Sequence, residues 1–283
     1  MVDLPGYRWW LAALGLRMTP YYQDESATIY NESCAETLKR MGDNSVDLVV
    51  TSPPYNMNLR IRYKDGVGKY ENGAWGDNTK RFLSNNTDIS TKYKEFDDYL
   101  PLEEYYLFHT KILTELLRVS EIVFYNMAVV TGSKRSLFRM IGDFNEQLKE
   151  IIIWDKGHGQ PAMGEKVLNR RTELVLVFDR DHAISRQFKN NGRFERGTLD
   201  DIWVIQRQIS KAQSNTAVFP EELVRTILTN FTGSGDTVYD PFLGTGTTAV
   251  VAKQMGRKSI GSEVSESLVK STQQRLAQGV LFT

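Results

Sequence analysis

The stretch that decides the fold is TVYDPFLGTGTTAVVAKQM, residues 237–255. It opens with a short apolar run typical of a buried strand and closes with apolar residues at helical spacing. Between them lies a turn that contains Gly244 and Gly246. Glycines there let a ligand approach the backbone closely, and the following helix offers the unpaired N–H groups of its N-terminus. A strand, a glycine turn and a helix in this order predict a ligand-binding turn of an α/β fold.

The rest of the chain alternates short apolar runs with helical patterns, which favours βαβ units. The predicted strands are Val46–Val50, Ile122–Tyr125, Ile151–Trp154, Leu174–Phe178, Thr237–Tyr239 and Ser259–Ser262. Most are nearly all apolar, as expected for strands that helices cover on both faces. The predicted helices are 102–118, a helix with Pro220 as its first residue, 246–255, and 265–276 with Ser265 as N-cap. We therefore predict an α/β fold with a mostly parallel sheet and helices on both faces.

Length and composition exclude several classes of protein. The chain has 283 residues, of which 41% are hydrophobic and 25% charged, so intrinsic disorder and collagen-like repeats are excluded for most of it. Cys34 is its one cysteine, so no intrachain disulfide can form. Basic and acidic residues number 35 each, so positive charge for nucleic acid must be concentrated locally. No apolar run reaches the roughly 18 residues of a membrane span, and we expect a cytoplasmic protein.

A second informative cluster, TSPPY, follows the predicted strand that ends at Val50. Two consecutive prolines fix the backbone and remove two N–H donors, so the carbonyls of Ser52 and Pro53 are held rigidly. A hydroxyl, a fixed carbonyl and the aromatic face of Tyr55 suit a planar base with an exocyclic amino group. The oxygens accept the amino protons, and the tyrosine ring stacks on the base.

Glu263 follows the next predicted strand beyond the glycine turn. A carboxylate in this position of an α/β fold holds ribose hydroxyls, so the turn and Glu263 together indicate an adenosine-type cofactor site. The turn is not a P-loop, because no Gly-Lys-Ser/Thr follows it, and it lacks the third glycine of the dinucleotide fingerprint. Asp240 before the turn would repel a pyrophosphate but suits a cationic amino-acid head.

Two polar stretches, 56–94 and 183–212, carry more basic than acidic residues. Long loops in compact domains are usually functional or disordered, and clustered basic side chains suit nucleic-acid phosphates. The predicted DNA-binding residues are Arg60, Arg62, Lys64, Arg193 and Arg196.

TSPPY and, about 190 residues later, DPFLGTGTT together resemble the beta class of DNA amino-methyltransferases. These enzymes transfer a methyl group from S-adenosylmethionine to the exocyclic nitrogen of cytosine or adenine. The segments EIIIWDKG, RRTELVLVF, DIWVI and AVFPEELVRTIL are similar to the family's intervening segments, so the resemblance covers most of the chain. One departure is Glu32-Ser33-Cys34, where the family often has Gly-Asp-Cys. The acidic contact near the adenine ring is then absent or supplied by Glu32.

The resemblance implies a Rossmann-like S-adenosylmethionine-dependent methyltransferase fold with a sheet of the seven-stranded type. It implies a single domain over residues 1–283, with a catalytic region at 28–180 and an insertion loop at 56–94. A short target-recognition segment would span 183–212, and a cofactor-binding region 215–283. The implied partners are S-adenosylmethionine and double-stranded DNA, with no membrane and no metal, and a homodimer stays open.

The resemblance also implies roles for single residues. The catalytic residues are Ser52, Pro53, Pro54 and Tyr55. The cofactor-binding residues are Ser33, Cys34, Phe219, Pro220, Asp240, Phe242, Gly244, Gly246, Thr247, Thr248 and Glu263.

The target base is the part that the sequence leaves most open. Serine in S-P-P-Y is commoner in the cytosine-N4 members and aspartate in D-P-P-Y in the adenine-N6 members, so we favour N4 of cytosine in DNA. The alternative is an N6-adenine DNA methyltransferase, within a restriction-modification system or as an orphan enzyme. A non-catalytic nucleic-acid-binding protein of the same fold is a further alternative, against which the intact SPPY and DPFLGTGTT argue. The missing third glycine and Asp240 argue against an NAD-type oxidoreductase. Methylation of RNA or of a protein amide stays open, although amide-modifying relatives usually have N-P-P-Y.

Overall fold

The computed structural model describes residues 19–56, 63–64, 67–68, 100–160, 166, 168–209 and 217–278. The strands within them are β1 (Tyr22–Gln23), β2 (Ala27–Tyr30), β3 (Leu48–Thr51), β4 (Tyr63–Lys64), β5 (Val67–Gly68), β6 (Ile122–Met127), β7 (Leu148–Gln160), β8 (Arg170–Asp179), β9 (Ile202–Val204), β10 (Gln208–Ile209), β11 (Ala217–Val218), β12 (Thr237–Asp240) and β13 (Lys258–Ser262). The helices are α1 (Cys34–Arg40), α2 (Leu102–Val119), α3 (Lys134–Asp143), α4 (Glu221–Phe231), α5 (Thr247–Gln254) and α6 (Glu266–Ala277).

One sheet of nine strands runs through the described residues, in the order β1-β2-β13-β12-β3-β6-β8-β7-β9. Five of its eight neighbouring pairs are parallel: β2–β13, β13–β12, β12–β3, β3–β6 and β7–β9. Strand β8 is antiparallel to both β6 and β7, and β1 is antiparallel to β2. The predicted α/β fold with a mostly parallel sheet is therefore confirmed. The apolar pattern predicted the strand Leu174–Phe178, which lies within β8, but it did not reveal that β8 runs antiparallel to its neighbours.

Helices cover both faces of the sheet, as the apolar strands predict. In β3, Val49 packs into the core cluster that contains the inner side of α2, while Leu48 and Val50 pack into the cluster that contains the inner side of α4. All residues of β3 and β6 are buried, which explains why their sequences lack the alternation of a half-exposed strand. Among the described residues, no helix is long and apolar enough to cross a membrane.

Several predicted ends shift in the structure. Pro220 is the N-cap of α4 instead of its first residue, and Gly246 is the N-cap of α5. Strand β7 runs well beyond the predicted Trp154, because its outer part pairs with β8 away from the apolar core. Helix α3 was not predicted. In the predicted insertion loop 56–94, the described residues are Asn56 and the short hairpin of β4 and β5, so Arg60 and Arg62 lie outside them.

The parallel strands β2, β3, β6, β12 and β13 all end at one edge of the sheet, which we call the carboxyl edge. TSPPY leaves this edge at the end of β3, and the glycine turn leaves it at the end of β12. The two clusters that the sequence singles out therefore lie side by side, since β3 and β12 are neighbours in the sheet. Ligands of open α/β sheets bind at this edge.

Gly246 is a position where the fold requires glycine. Its φ is 80°, and a Cβ built there would lie 2.6 Å from Oγ1 of Thr272 in α6. We expect Gly246→Ala to lower the free energy of unfolding by at least about 2 kcal/mol, because backbone strain and steric overlap add. Gly197→Ala is the matched control, since Gly197 has a φ of 78° with no atom within 4 Å of an added Cβ. Urea unfolding of both variants measures the difference, and equal losses would contradict tight packing of α6 on the turn.

Candidate active site

A buried carboxylate joins the two clusters. The Thr51 hydroxyl donates to Oδ1 of Asp240 over 2.7 Å, although the two residues are 189 positions apart. The Thr248 hydroxyl donates to Oδ2 over 2.7 Å, and the N–H of Phe242 donates to Oδ1 over 3.1 Å. Burial raises the pKa of Asp240 to about 6, and these hydrogen bonds partly oppose that rise. Asp240 thus fixes TSPPY, the glycine turn and the first turn of α5 to one another, and its contact with a cofactor stays a prediction.

The glycine turn is held from the end of β13. The N–H of Gly244 donates to Oε2 of Glu263 over 2.8 Å, and the N–H of Ser265 donates to Oε1 over 2.9 Å. Gly244 has a φ of 56°, and the nearest atom to a Cβ built there would be the Phe242 carbonyl oxygen at 3.9 Å. The structure therefore brings Gly244 and Glu263 together as the sequence predicts, and it leaves space beside the glycine.

The segment after β2 reaches the same edge. The side-chain NH₂ of Asn31 donates to the carbonyls of Glu263 and Val264, over 2.9 and 3.1 Å. Ser33 follows as the N-cap of α1, and its buried Oγ has no hydrogen-bond partner among the described residues. The predicted residues Ser33 and Cys34 are thus placed next to the end of β13.

Glu32 and Cys34 flank Ser33. The thiol of Cys34 is buried, and the carboxylate of Glu32 is hydrogen-bonded to residues of α1. Cys34 is buried, and burial raises the pKa of its thiol to about 12, so the thiol stays protonated and is a poor nucleophile. Glu32 accepts a hydrogen bond from the Thr37 hydroxyl over 2.6 Å and pairs with Arg40. Its carboxylate is therefore engaged by α1, which bears on the predicted alternative that Glu32 contacts the adenine ring.

The TSPPY loop is fixed from several sides. Pro53 and Pro54 are buried, and the Pro54 carbonyl accepts a hydrogen bond from the Tyr105 hydroxyl over 3.1 Å. The Tyr55 carbonyl accepts one from the Ser133 hydroxyl over 3.0 Å. The loop that the prolines were expected to make rigid is thus also anchored to α2 and to the start of α3.

Three polar residues that sequence reasoning missed complete the loop's surroundings. The Tyr55 hydroxyl donates to Oε2 of Glu173 in β8 over 2.9 Å, and the Asn126 side-chain nitrogen at the end of β6 lies 2.6 Å from the Tyr55 hydroxyl oxygen. Lys156 in β7 lies 3.0 Å from Oε1 of Glu173. The signal in the sequence was a polar residue inside or beside an apolar run, as Asn126 in EIVFYNM and Glu173 in RRTELVLVF.

Three of the remaining predicted cofactor residues belong to the glycine turn or to the helix that follows it, namely Phe242, Thr247 and Thr248. Thr247 and Thr248 are buried in the first turn of α5. Phe242 packs on Phe108 of α2 with a ring-centroid distance of 5.8 Å. Phe219 is half-buried against the core, next to Pro220 at the start of α4.

The structure does not bring the predicted DNA-binding residue Arg193 to the site. The Arg193 guanidinium lies 3.7 Å from the Asp236 carboxylate, and the backbone N–H of Arg193 donates to the backbone carbonyl of Asn230. Asp236 directly precedes β12, so this ion pair lies at the edge of the sheet opposite Ser52. Arg196 is exposed, and Lys64 lies in β4. Among the described residues, no group of three or more histidine, cysteine or acidic side chains could hold a metal ion.

Comparison with known proteins adds independent findings. The family model of the DNA methylase family matches residues 46–274. The Type II methyltransferase M2.LlaDCHI of Lactococcus lactis subsp. cremoris is 25% identical over 282 residues, which cover 95% of this chain and 96% of that protein.

Solved structures show the same fold. PvuII DNA methyltransferase (cytosine-N4-specific) matches with a TM-score of 0.64 and 18% identity, over 92% of this chain and 90% of that one. The M1.HpyAVI–SAM complex matches with a TM-score of 0.56 and 16% identity, over 88% and 99% of the respective chains.

The raised pKa of Asp240 predicts a stability that depends on pH. A carboxyl whose folded-state pKa lies near 6 instead of 3.8 stabilises the fold below pH 3.8, and this contribution is lost as the pH rises through about 6. Relative to Asp240→Asn, whose amide cannot titrate, the wild type should therefore lose about 2 kcal/mol between about pH 4.5 and about pH 7.5. Urea unfolding of both proteins between about pH 4.5 and about pH 7.5 measures the change. A difference in stability that does not vary with pH would contradict the raised pKa.

Proposed function

The chain belongs to the DNA methylase family, because that family's model matches residues 46–274, and we propose that it methylates the exocyclic N4 of cytosine in DNA. The observation that carries the proposal is the joint between the two clusters. Thr51, directly before Ser52, shares the Asp240 carboxylate with Thr248, directly after the glycine turn. A group bound at the turn and a base bound at Ser52 would therefore meet at one fixed place on the carboxyl edge.

The residues at this edge fit S-adenosylmethionine, the methyl donor. Glu263 follows the strand next to the glycine turn, where a carboxylate suits ribose hydroxyls. The space beside Gly244 lets a ligand approach the backbone. The buried Oγ of Ser33 has no hydrogen-bond partner in the described part of the chain, so a polar ligand would satisfy it. When bound, the donor supplies an electrophilic methyl group on a sulfonium.

Ser52 and Pro53 act on the acceptor. The amino group of cytosine is a poor nucleophile, because its lone pair is delocalised into the ring. If the Ser52 hydroxyl oxygen and the Pro53 carbonyl each accept one amino proton, the lone pair is directed away from the ring. Rigid placement of both reactants in this way can lower a barrier by about 7–11 kcal/mol. The base must first leave the duplex, at a cost of a few kcal/mol that contact with the Tyr55 ring would partly offset.

Serine at position 52 supports cytosine as the target, since serine in this motif is commoner in the cytosine-N4 members of the family. The solved neighbour with the TM-score of 0.64 is itself named cytosine-N4-specific. An N6-adenine methyltransferase with the same mechanism is the alternative. The Type II relatives support a place in a restriction-modification system, with an orphan modification enzyme as the other arrangement.

Double-stranded DNA is the proposed partner. The phosphate backbone of the DNA would contact the basic stretch that contains Arg60, Arg62 and Lys64. This stretch follows TSPPY in the sequence. Arg196 stays a candidate for a phosphate contact. The placement of Arg193 beside Asp236 argues against a contact near the flipped base.

Gly244→Val should abolish binding of S-adenosylmethionine, because the new side chain would fill the space beside the turn. Gly235→Val is the matched control. Gly235 has a φ of 84° and an equally open surrounding, but it precedes β12 and so lies at the opposite edge. Both variants carry about 1–3 kcal/mol of backbone strain. Calorimetric titration, with thermal unfolding to confirm the fold, should show lost binding in the first variant alone. Unchanged binding in Gly244→Val would place the cofactor elsewhere.

Mass spectrometry of nucleosides identifies the methylated base, after DNA has been treated with the purified protein and S-adenosylmethionine. We expect N4-methylcytosine from the wild type and a rate loss of about 100-fold or more in Ser52→Ala, with little change in KM for DNA. N6-methyladenine alone would replace the cytosine assignment by the adenine one. Binding of DNA without any methylated nucleoside would favour the non-catalytic alternative.

A further inference from the structure

We propose that Glu173, held by Lys156, orients the Ser52 hydroxyl through Tyr55 and receives the proton that the methylated amino group must lose. The inference rests on the proposed function, to which it adds a positioning residue and a proton path. It starts from a cluster of five polar side chains, which we call the relay cluster: Ser52, Tyr55, Asn126, Lys156 and Glu173.

Three members of the relay cluster donate hydrogen bonds to Glu173. Oε1 accepts from the Lys156 ammonium over 3.0 Å, and Oε2 accepts from the Tyr55 hydroxyl and the Asn126 NH₂, each over 2.9 Å. A carboxylate that faces three donors and no competing acceptor in the cluster serves as an acceptor only. Lys156 and Glu173 are 11% and 13% exposed, so the ion pair is largely withdrawn from water and each charge depends on the other.

This arrangement determines which way the Ser52 hydroxyl points. The oxygens of Ser52 and Tyr55 are 2.9 Å apart, and either one could be the donor when the pair is considered alone. Tyr55 has a single hydroxyl proton, and it is donated to Glu173. Ser52 must therefore be the donor to Tyr55, so its own oxygen presents lone pairs to whatever lies in front of it.

A Ser52 hydroxyl whose proton points to Tyr55 has the orientation that the amino group of a base requires. An amino group offers two protons, and its lone pair has to stay available for the methyl group. A serine whose proton pointed at the amino nitrogen would compete for that lone pair, whereas a serine that accepts directs it outward. Glu173 is the fixed negative charge at the far end of the chain of hydrogen bonds, so it selects the productive orientation of Ser52 before the base arrives.

The same bonds provide an exit for the proton. Methyl transfer leaves the nitrogen with a positive charge and one proton too many. The N–H bond breaks as this proton moves to Oγ of Ser52, while the Ser52 proton moves to the Tyr55 oxygen and the Tyr55 proton moves to Oε2 of Glu173. The nitrogen ends neutral and Glu173 ends protonated, so no other reactant is needed. Glu173 then releases the proton to water, and the hydroxyls of Ser52 and Tyr55 turn back.

Asn126 supports the orientation without carrying the proton. Its NH₂ lies 2.6 Å from the Tyr55 oxygen and 3.3 Å from Oγ of Ser52. Asn126 is 1% exposed, and its Oδ1 has no partner among the described residues. The amide is thus held in place by the donors it contributes to the relay cluster.

The test compares Glu173→Gln with the wild type in single-turnover methylation of DNA. The variant keeps the shape of the side chain, but its NH₂ competes with Tyr55 as a donor and it cannot take a proton. We expect the rate of methylation to fall by about 100-fold or more, as for loss of a general base, while the affinities for DNA and S-adenosylmethionine stay near those of the wild type. Asp155→Asn is the matched control, because it removes an ion pair with Arg171 across the same two strands and should leave the rate unchanged.

A double-mutant cycle separates a relay from a merely structural role. If Glu173 acts through Tyr55, then adding Glu173→Gln to Tyr55→Phe should lower the rate only slightly further. If the two residues act independently, the fold-losses in rate of the two single variants should multiply in the double variant. Glu173→Asp keeps an acceptor-only charge and should lose less activity than Glu173→Gln, which guards against a fold defect in the glutamine variant. A Glu173→Gln rate close to the wild type, or multiplying effects in the cycle, would overturn the relay while leaving the proposed function intact. No methylated nucleoside from the wild type would overturn both.

Discussion

A carboxylate withdrawn from water connects the parts of this site. Asp240 ends β12 and is 3% exposed, a position that would be costly for an unpaired charge. It is tolerated because the Thr51 and Thr248 hydroxyls and the N–H of Phe242 all donate to it. Those donors come from three separate elements, so satisfying one carboxylate also fixes the relative positions of TSPPY, the glycine turn and α5. The parallel pairing of β12 with β3 brings these elements within reach of one another.

The carboxylate of Glu173 has different hydrogen-bond partners from that of Asp240. Glu173 faces a cation, Lys156, and has the hydroxyl of Tyr55 and the amide of Asn126 as further donors. The donors to Asp240 among the described residues are all uncharged, and burial raises its pKa to about 6. Two acidic groups near one loop thus differ in their neighbours: Asp240 connects the two clusters, whereas Glu173 accepts hydrogen bonds from Lys156, Tyr55 and Asn126. The surroundings, not the residue type, assign these roles.

The order of the strands places most of the residues predicted to bind the cofactor on one side of Asp240 and those predicted to bind the base on the other. Strands β2, β12 and β13 carry Ser33, the glycine turn and Glu263, while β3, β6 and β8 carry Ser52, Asn126 and Glu173. Strand β12 borders β3, so the two groups of strands meet where Asp240 and Thr51 touch. The side of the sheet that holds the relay cluster is also the side where β8 runs antiparallel to its neighbours. That reversal lets an early residue of β8, Glu173, lie beside the end of β6.

The sequence by itself determined the central strands, most of the helices and the residue types that lie at the strand ends. Apolar runs predicted the central strands, and glycines and prolines at strand ends marked the glycine turn and the TSPPY loop as candidate binding segments, because these signals act within a few residues of one another. The contacts between distant segments were decided by the tertiary structure alone. Tyr55 meets Glu173 across 118 positions, and Thr51 meets Asp240 across 189. Both depend on strand order and on the direction of β8, which are set by burial and by hydrogen bonds between strands. For the same reason, Arg193 has the charge of a DNA-binding residue in sequence, while the fold places it beside Asp236 at the far edge of the sheet.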